Sequence, residues 1–253
     1  MELWGITDSG RVRVHNQDVF KTMIDETKGV AVLLVCDGIG GANAGNLASK
    51  LAAEVFIDHI QKSIDEHDDI SSQRDISAMM TYAVLVANTA VFNKSVEDEE
   101  FSGMGTTLTA AVSAKCGEVV ANVGDSRLYY ITKSEITQIT KDHSIVEDMI
   151  DNGEITRNEA RRHPNRNLIT RALGNRIYEP PDIFLLNLSS GEYLLLCSDG
   201  LSDVVLDSEI LFELQHSKSV RKSCKNLMDM ALKRGAPDNV TVAILKKQED
   251  TDG

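Results

Sequence analysis

The chain has 253 residues, 42% of them hydrophobic and 26% charged, which is an ordinary composition for a globular protein. Its length permits one large domain or two small ones. The formal net charge of −13 argues against nucleic acid or an anionic membrane surface as the main partner.

Segments that would place the chain in a membrane or outside the cell are not apparent. No stretch approaches 18 uninterrupted apolar residues, and residues 1–5 lack the basic-then-apolar pattern of a signal peptide. The four cysteines are widely spaced, without a Cys-x-x-Cys motif, and Cys36 and Cys197 lie in apolar runs. We therefore expect reduced core cysteines in a cytoplasmic protein, without disulfides or a zinc site.

The first half of the chain predicts one strand and two helices. Residues 30–36 form an apolar run that ends at Asp37-Gly38, which is typical of a buried strand. Apolar residues then recur at helical spacing at Leu47, Leu51, Val55, Ile60 and Ile64. A stronger stripe over residues 76–91 predicts a second helix. Ser72 and Asp75 can cap its start.

The second half is richer in strands. Short β-rich runs at 107–112, 119–123, 128–131 and 136–139 are closely connected, which predicts antiparallel pairing. Further strands are expected at 183–188, 193–197 and 240–245, with a helix over 220–231. Helix pairs interleaved with antiparallel strands indicate an α+β layered domain. A doubly wound parallel sheet fits worse, because strands and helices do not alternate one by one.

Five short motifs place an aspartate within two residues of Gly or Asn where a strand should end. They contain Asp18, Asp37-Gly38, Gly124-Asp125, Asp199-Gly200 with Asp203, and Asp238-Asn239. Each alone can be a turn former. Asp37 and Asp199, however, follow runs expected to be buried, where a carboxylate is costly unless it is paired or binds a cation. Asp203 would return to the side of Asp199 if a helical turn begins there.

The donor set favours hard cations. Mg²⁺ and Mn²⁺ prefer carboxylate and carbonyl oxygens, and the chain offers these without a Cys/His cluster. Gly38-x-Gly40 has Asn43 where a dinucleotide-binding loop needs its third glycine. No Cys is followed six positions later by Arg, so a cysteine-nucleophile phosphatase is not indicated. The pattern favours a site for hard divalent cations.

In this order the motifs resemble the PPM (PP2C-type) family of metal-dependent serine/threonine protein phosphatases, in its compact bacterial form. The match runs from Thr7-Asp8-Ser9-Gly10 to Asp238-Asn239-Val240-Thr241, and includes 103–108 and 122–127. The resemblance implies a four-layer α-β-β-α sandwich of two mostly antiparallel sheets flanked by helix pairs. We expect one such domain over 1–246, a flap at about 142–178 and a polar tail at 247–253.

The resemblance also implies a ligand set for two core ions, Mn²⁺ or Mg²⁺. Asp37 would bridge both ions, and the Gly38 carbonyl would bind one of them. Asp199 and Asp238 would complete the ligation of the other, and Asp18 would act through coordinated water. These ions would share a water, lower its pKa and present a metal-bridged hydroxide to phosphorus.

Other residues carry further implied roles. Asp125 and Asp203, with Asp199, match a third and weaker metal site. Arg13 would hold the substrate phosphate through its planar fork; the alternative is a solvated charge. The resemblance implies phosphorylated protein substrates, a cognate bacterial Ser/Thr kinase that the enzyme opposes, and a monomer.

Two departures from the family pattern affect the site. Gln17 stands where many relatives have Glu, which is expected to tune metal affinity. Ala42 stands where some bacterial relatives carry a His, so any general-acid role of that His is not supplied here. A rival interpretation is a regulatory module that keeps the fold without turnover. Degenerate members usually lose metal aspartates, and here all the expected ones are present.

The expected flap contains the one markedly basic stretch of the chain. Residues 152–176 include six arginines and no lysine: Arg157, Arg161, Arg162, Arg166, Arg171 and Arg176. One hypothesis is that they dock a phosphorylated, acidic protein segment. The alternative is a solvated helix face with surface ion pairs.

Overall fold

Two antiparallel β-sheets pack face to face in a computed structural model that describes residues 1–41, 43–66 and 71–248. The first sheet has the strand order β1-β11-β10-β7-β8. Its strands are β1 (Glu2–Asp8), β7 (Arg127–Ile131), β8 (Ile136–Gln138), β10 (Tyr193–Cys197) and β11 (Val240–Lys246).

The second sheet has the order β2-β3-β5-β6-β9, and a two-residue strand, β4, pairs with the end of β3. Its strands are β2 (Asp18–Asp25), β3 (Val30–Ile39), β4 (Gly105–Thr106), β5 (Leu108–Ala114), β6 (Gly117–Val123) and β9 (Asp182–Leu186). The three central strands β3, β5 and β6 are almost wholly buried, because a sheet lies on one face and helices on the other.

Helix pairs cover both outer faces. The helices are α1 (Ala44–Glu66), α2 (Gln73–Glu97), α3 (Ile145–Asp151), α4 (Arg157–Ala160), α5 (Asp199–Ser202), α6 (Asp207–His216) and α7 (Val220–Lys233). The buried side chains form three clusters, between α1–α2 and the second sheet, between the two sheets, and between the first sheet and α6–α7. This arrangement confirms the predicted α+β four-layer sandwich.

The two long helices show where pattern reasoning was accurate. Ser72 caps α2, because its hydroxyl accepts a hydrogen bond from the Asp75 backbone N–H, as predicted. In α1 the fully buried stripe passes through Ala48, Ala52, Phe56, Ile60 and Ile64. Leu47, Leu51 and Val55 of the predicted stripe are only partly buried and pack at the margin of the same core. The predicted helix is therefore confirmed, but the first half of its fully buried face runs through Ala48, Ala52 and Phe56 and not through Leu47, Leu51 and Val55.

The described part of the chain includes one helix, α2, that is long and apolar enough by length and composition to cross a membrane. Core helices of water-exposed domains meet the same criterion. The apolar face of α2 is buried through Ile76, Met80, Val84 and Ala87 in the cluster it shares with α1. The apolar composition of α2 is therefore explained by the core.

The sequence pattern did not reveal how the chain changes sheets. β5 and β6 form one hairpin and β7 and β8 another. Between them, the turn at Gly124, with φ of 107°, carries the chain from the second sheet to the first. Pattern reasoning also missed β1, β2 and α6.

Candidate metal centre

Antiparallel pairing brings the ends of several strands to one edge of the sandwich. In the second sheet, Asp18 at the start of β2 lies opposite Asp37 near the end of β3. Asp125 follows the end of β6 at the same edge. In the first sheet, Asp199 follows β10 and Asp238 precedes β11, which pairs with β10. Residues far apart in sequence therefore converge because of strand direction.

Asp18 joins the two sheets at this edge. Its Oδ2 accepts hydrogen bonds from the hydroxyls of Ser198 and Thr241, each at 2.7 Å, and both donors belong to the first-sheet side. Its Oδ1 is buried and has no hydrogen-bond partner within the described ranges. One oxygen of this carboxylate is thus fixed by protein, and the other is left for a further donor or a cation.

Asp37 and Gly38 occupy a tightly built strand end. The Asp37 backbone N–H donates to the Thr107 hydroxyl, and the Thr107 N–H donates to the Asp37 carbonyl, both at 2.9 Å. A Cβ at Gly38 would lie 2.2 Å from the backbone oxygen of Gly45 at the start of α1. The close approach of that helix therefore requires glycine here.

The short helix α5 places two carboxylates on one side, as predicted. The Asp203 N–H donates to the Asp199 carbonyl at 2.8 Å, which closes one helical turn. Asp199 Oδ1 is buried and lacks a hydrogen-bond partner among the residues described. Asp203 is more exposed, and Arg166 Nε lies 3.8 Å from its Oδ2.

Burial and mutual repulsion dominate the electrostatics of the cluster. Burial, followed by the charges of Asp18 and Asp199, raises the pKa of Asp37 well above its ordinary value. Burial, followed by the charges of Asp125 and Asp203, does the same for the pKa of Asp199. The negative charge of Asp238 also raises both pKa values. These carboxylates therefore lie within electrostatic reach of one another.

The pKa values of two further carboxylates are also raised, by a smaller amount. The pKa of Asp18 is raised to about 6, chiefly by burial. The pKa of Asp125 is raised to about 7, first by burial and then by the charge of Asp142. Carboxylates held this way are stabilised in their charged form by a nearby cation.

The donor chemistry fits divalent cations. Asp18 and Asp199 each bury one carboxylate oxygen without a hydrogen-bond partner among the described residues. Burying such an oxygen costs folding free energy unless a donor or a cation binds it. Within residues 1–41, 43–66 and 71–248, no three His, Cys, Asp or Glu side chains stand as a ready-formed cage. Asp238 is held by other groups: its Oδ2 accepts from Arg13 Nη2 at 2.7 Å and its Oδ1 accepts from the Asn239 N–H at 2.8 Å.

Asn239 anchors the loop that carries Arg13, a function that sequence reasoning missed. Its side-chain amide donates to the carbonyls of Ser9 and His15, each at 3.0 Å, and its Oδ1 accepts from the Gln17 N–H at 2.8 Å. The sequence pattern indicates Asn239 only as a turn partner of Asp238. Its burial beside an exposed loop is visible only in the fold.

Sequence reasoning also assigned no role to Asp142 and His143. Arg127 donates to both carboxylate oxygens of Asp142, at 3.0 Å and 2.6 Å, and this buried pair lies beside Asp125. His143 contacts the Gly124 turn. No spacing rule points to either residue, because both act through neighbours that are distant in sequence.

A cavity of about 310 Å³ adjoins the cluster. Asp125, Asp199 and Asp203 line one side, and the expected flap lines the other with Arg157, Arg161, Arg166 and Asn167. Three of the six arginines make ion pairs: Arg157 with Glu147, Arg166 with Asp203, and Arg171 with Glu179 and Asp182. Among the described residues, Arg161, Arg162 and Arg176 have no such pair. The arginines therefore form two groups, those held in ion pairs and those whose guanidinium groups could contact a substrate.

Gln17 and Ala42 are the two positions that depart from the family pattern. The Gln17 side-chain amide donates to the Gly41 carbonyl at 3.0 Å, so it braces the loop after β3. Ala42 lies outside the described residues. Cys36, Cys197 and Cys224 are buried thiols, and burial raises the pKa of Cys36. Lys247, first residue of the expected tail, donates to the Leu188 carbonyl at 2.9 Å; residues 249–253 lie outside the described ranges.

Comparison with known proteins identifies the family. A sequence model described as protein phosphatase 2C matches residues 10–243. The serine/threonine phosphatase stp of Listeria welshimeri is 33% identical over 244 residues, which cover 95% of this chain and 94% of the relative.

Solved structures agree in fold. Serine/threonine phosphatase Stp1 from Staphylococcus aureus has a TM-score of 0.89 at 35% identity, covering 98% of this chain and 95% of that one. The catalytic domain of the phosphatase PstP, in complex with two manganese ions, has a TM-score of 0.83 at 35% identity and covers 98% of both chains. The chain therefore belongs to the protein phosphatase 2C family and, as its motifs predicted, is a PPM-type phosphatase.

Proposed function

We propose that this chain removes phosphate from phosphoserine and phosphothreonine in proteins, using Mn²⁺ or Mg²⁺. The observation that carries the proposal is the buried carboxylate cluster, in which Asp18 and Asp199 each keep one oxygen without a partner among the described residues. Burial, and after it repulsion from neighbouring carboxylates, raises the pKa values of these acids, and divalent cations would stabilise their charged form. The manganese-containing PstP relative supports this choice of ion.

The residues divide into a core and a weaker site. Asp37 and the Gly38 carbonyl would hold one core ion, with Asp37 shared by the second. Asp199 and Asp238 would complete the second, and Asp18 would act through coordinated water. The weaker third site would use Asp125 and Asp203 together with Asp199. The mutual charge effects among Asp125, Asp199 and Asp203 support this grouping.

The chain's own residues bind and orient the phosphoester. When bound, the divalent ions would supply an activated water for attack on phosphorus and positive charge for the phosphoryl oxygens. Arg13 presents a planar fork suited to two phosphate oxygens, and its half-exposed side chain can reach a substrate. Asn239 fixes the position of the Arg13 loop relative to Asp238.

The basic flap is proposed to dock the protein part of the substrate. Arg161 and Arg162 are exposed, and Arg161 lines the cavity beside the carboxylate cluster. The guanidinium of Arg161, at the rim of this cavity, would attract acidic residues that flank a phosphorylated side chain. We further propose a cytoplasmic monomer, with one catalytic domain over 1–246, that opposes a bacterial Ser/Thr kinase.

The proposal is tested by hydrolysis of p-nitrophenyl phosphate and of a phosphothreonine peptide, each with Mn²⁺ and with EDTA. Both activities should require Mn²⁺, and Asp37→Ala and Asp199→Ala should each abolish both. Asp58→Ala, at an exposed position on α1, is the matched control and should behave as wild type. Turnover that persists in EDTA would show that the chain does not use metal ions for this chemistry.

A further inference from the structure

His143 contacts the turn that carries Asp125 without belonging to the carboxylate cluster. It is buried, with 8% of its surface exposed, and lies just before α3. Its ring Nδ1 accepts a hydrogen bond from the Gly124 N–H at 3.0 Å, and its own backbone N–H donates to the Gly124 carbonyl at 3.0 Å. One residue therefore fixes both peptide groups of Gly124.

The Gly124 turn has little freedom on its other side. Gly124 has a φ of 107°, which favours glycine. A Cβ there would lie 2.5 Å from Cγ2 of Thr107, the residue whose hydroxyl accepts from the Asp37 N–H. The turn is thus wedged between His143 and the strand end that carries Asp37. A shift of Gly124 would move the adjacent Asp125.

Hydrogen bonds determine which ring nitrogen of His143 carries the proton. Because the Gly124 N–H points at Nδ1, the proton of the neutral ring is on Nε2. Nε2 lies 3.1 Å from Asp182 Oδ2, which accepts this proton. Arg171 Nη1 donates to Asp182 Oδ1 at 2.8 Å and also lies 2.9 Å from Nε2, so two donors converge on the Asp182 carboxylate. Asp182 and Arg171 therefore orient the ring toward Gly124. Burial lowers the pKa of His143, which is consistent with the neutral ring.

We propose that His143 is a positioning residue that holds the Gly124 turn so that Asp125 faces the other carboxylates. The inference rests on the proposed function, since it requires Asp125 to bind a cation. Residues that hydrogen-bond a metal ligand commonly change metal affinity by about 10–100-fold when replaced. His143 acts one residue further away, through the Gly124 peptide groups, so we expect an effect at the lower end of that range. His143 should act on the weaker third site and leave the core pair of ions in place.

Two substitutions of His143 separate the contribution of ring nitrogen Nδ1 from that of Nε2. Asn places an acceptor near the position of Nδ1 and can keep the Gly124 bond. Gln places its amide near the position of Nε2 and can keep only the Asp182 contact. Asp125→Asn serves as the reference for loss of the ligand itself.

The measurements are Mn²⁺ binding by calorimetry and hydrogen exchange of the Gly124 amide by NMR in the metal-free chain. His143→Gln should weaken the lowest-affinity Mn²⁺ site by about 10-fold or more and speed exchange at Gly124. His143→Asn should remain close to wild type in both, a rescue that a merely structural role would not produce. The second readout depends on neither metal nor activity.

The outcomes distinguish this proposal from the proposed function. If wild type binds no Mn²⁺, the proposed function fails, and the positioning role fails with it. If wild type and Asp125→Asn differ but His143→Gln binds Mn²⁺ as wild type does, only the positioning role is overturned. It is also overturned if Asp125→Asn binds all its Mn²⁺ normally, or if His143→Asn is as weak as Asp125→Asn. The comparison of His143→Asn with Asp125→Asn still tests the positioning role if the Gln variant does not fold.

Discussion

Arg13 Nη2 lies 2.7 Å from Asp238 Oδ2, so a side chain assigned to phosphate is paired with a carboxylate assigned to a cation. The hydrogen bond to Asp238 is the main cause of the raised pKa of Arg13, and the charges of Asp199 and Asp37 add to it. The guanidinium is about half exposed, which limits the strength of the pair. Arg13 and a cation therefore compete for one carboxylate oxygen.

Replacing Arg13 should separate these two roles. Arg13→Ala should lower kcat/KM for a phosphothreonine peptide by roughly 10–100-fold, because a charged hydrogen bond to phosphate is lost. It should also tighten Mn²⁺ binding slightly, since Asp238 loses its competing cation. Steady-state kinetics and calorimetry measure the two effects, with the exposed Arg11→Ala as control. Unchanged kinetics in Arg13→Ala would exclude the phosphate role.

The sequence was sufficient to predict the layered α+β fold and to single out aspartates as candidate cation ligands. Asp37 and Asp199 stood out because each follows a strongly apolar run, and those runs are β3 and β10. The edge strands β1 and β2 were not predicted, because their partly exposed faces give no continuous apolar run in the sequence.

Contacts between distant residues could not be read from the sequence. Asn239 and His143 act on loops that are more than a hundred residues away and nineteen residues away, respectively. Which arginines of the expected flap are paired also depends on the fold, because Arg166 meets Asp203 only across the cavity. Spacing rules describe faces of helices and strands, and these contacts join separate elements.

Neutralising a buried carboxylate should stabilise the metal-free chain. In Asp199→Asn, repulsion from Asp125, Asp203 and Asp238 disappears. We expect about 1–2 kcal/mol of added stability in EDTA, or roughly 2–8 °C in Tm, together with loss of catalysis. Thermal unfolding with EDTA measures this, with the exposed Asp58→Asn as control. A Tm below that of wild type would mean that the cluster carries no net repulsion.

Stability should depend on pH in a direction set by the raised carboxyl pKa values. Asp18 and Asp125 have pKa values of about 6 and about 7, above the ordinary value of 3.8. The folded chain then binds these protons more tightly than the unfolded chain. Their contribution is therefore present at low pH and is lost as pH rises through about 4 to 7.

Mn²⁺ should reverse that loss, because metal ligation needs the deprotonated carboxylates. The difference in Tm between Mn²⁺ and EDTA should be larger at about pH 7.5 than at about pH 5. Taking the difference at each pH removes the contribution of groups remote from the cluster. An equal difference at both pH values would contradict the assignment of Asp18 and Asp125 to the metal centre.

The flap hypothesis predicts a substrate-dependent effect of charge reversal. Arg161→Glu with Arg162→Glu should raise KM for an acidic phosphoprotein by roughly 3–30-fold, since electrostatic attraction becomes repulsion. Activity on p-nitrophenyl phosphate should be unaffected. Lys222→Glu with Lys225→Glu on α7 changes net charge equally and serves as the control. If both double variants act on the phosphoprotein as wild type does, the arginines form only a solvated face.

The convergence of Asp37, Asp199 and Asp238 on shared cations is tested most directly by anomalous diffraction from crystals grown with Mn²⁺. We predict two strong peaks about 3.5–4 Å apart, with Asp37 contacting both and with Asp199 and Asp238 contacting one. A well-ordered crystal without an anomalous peak between these carboxylates, or with Mn²⁺ bound elsewhere on the chain, would contradict the metal centre.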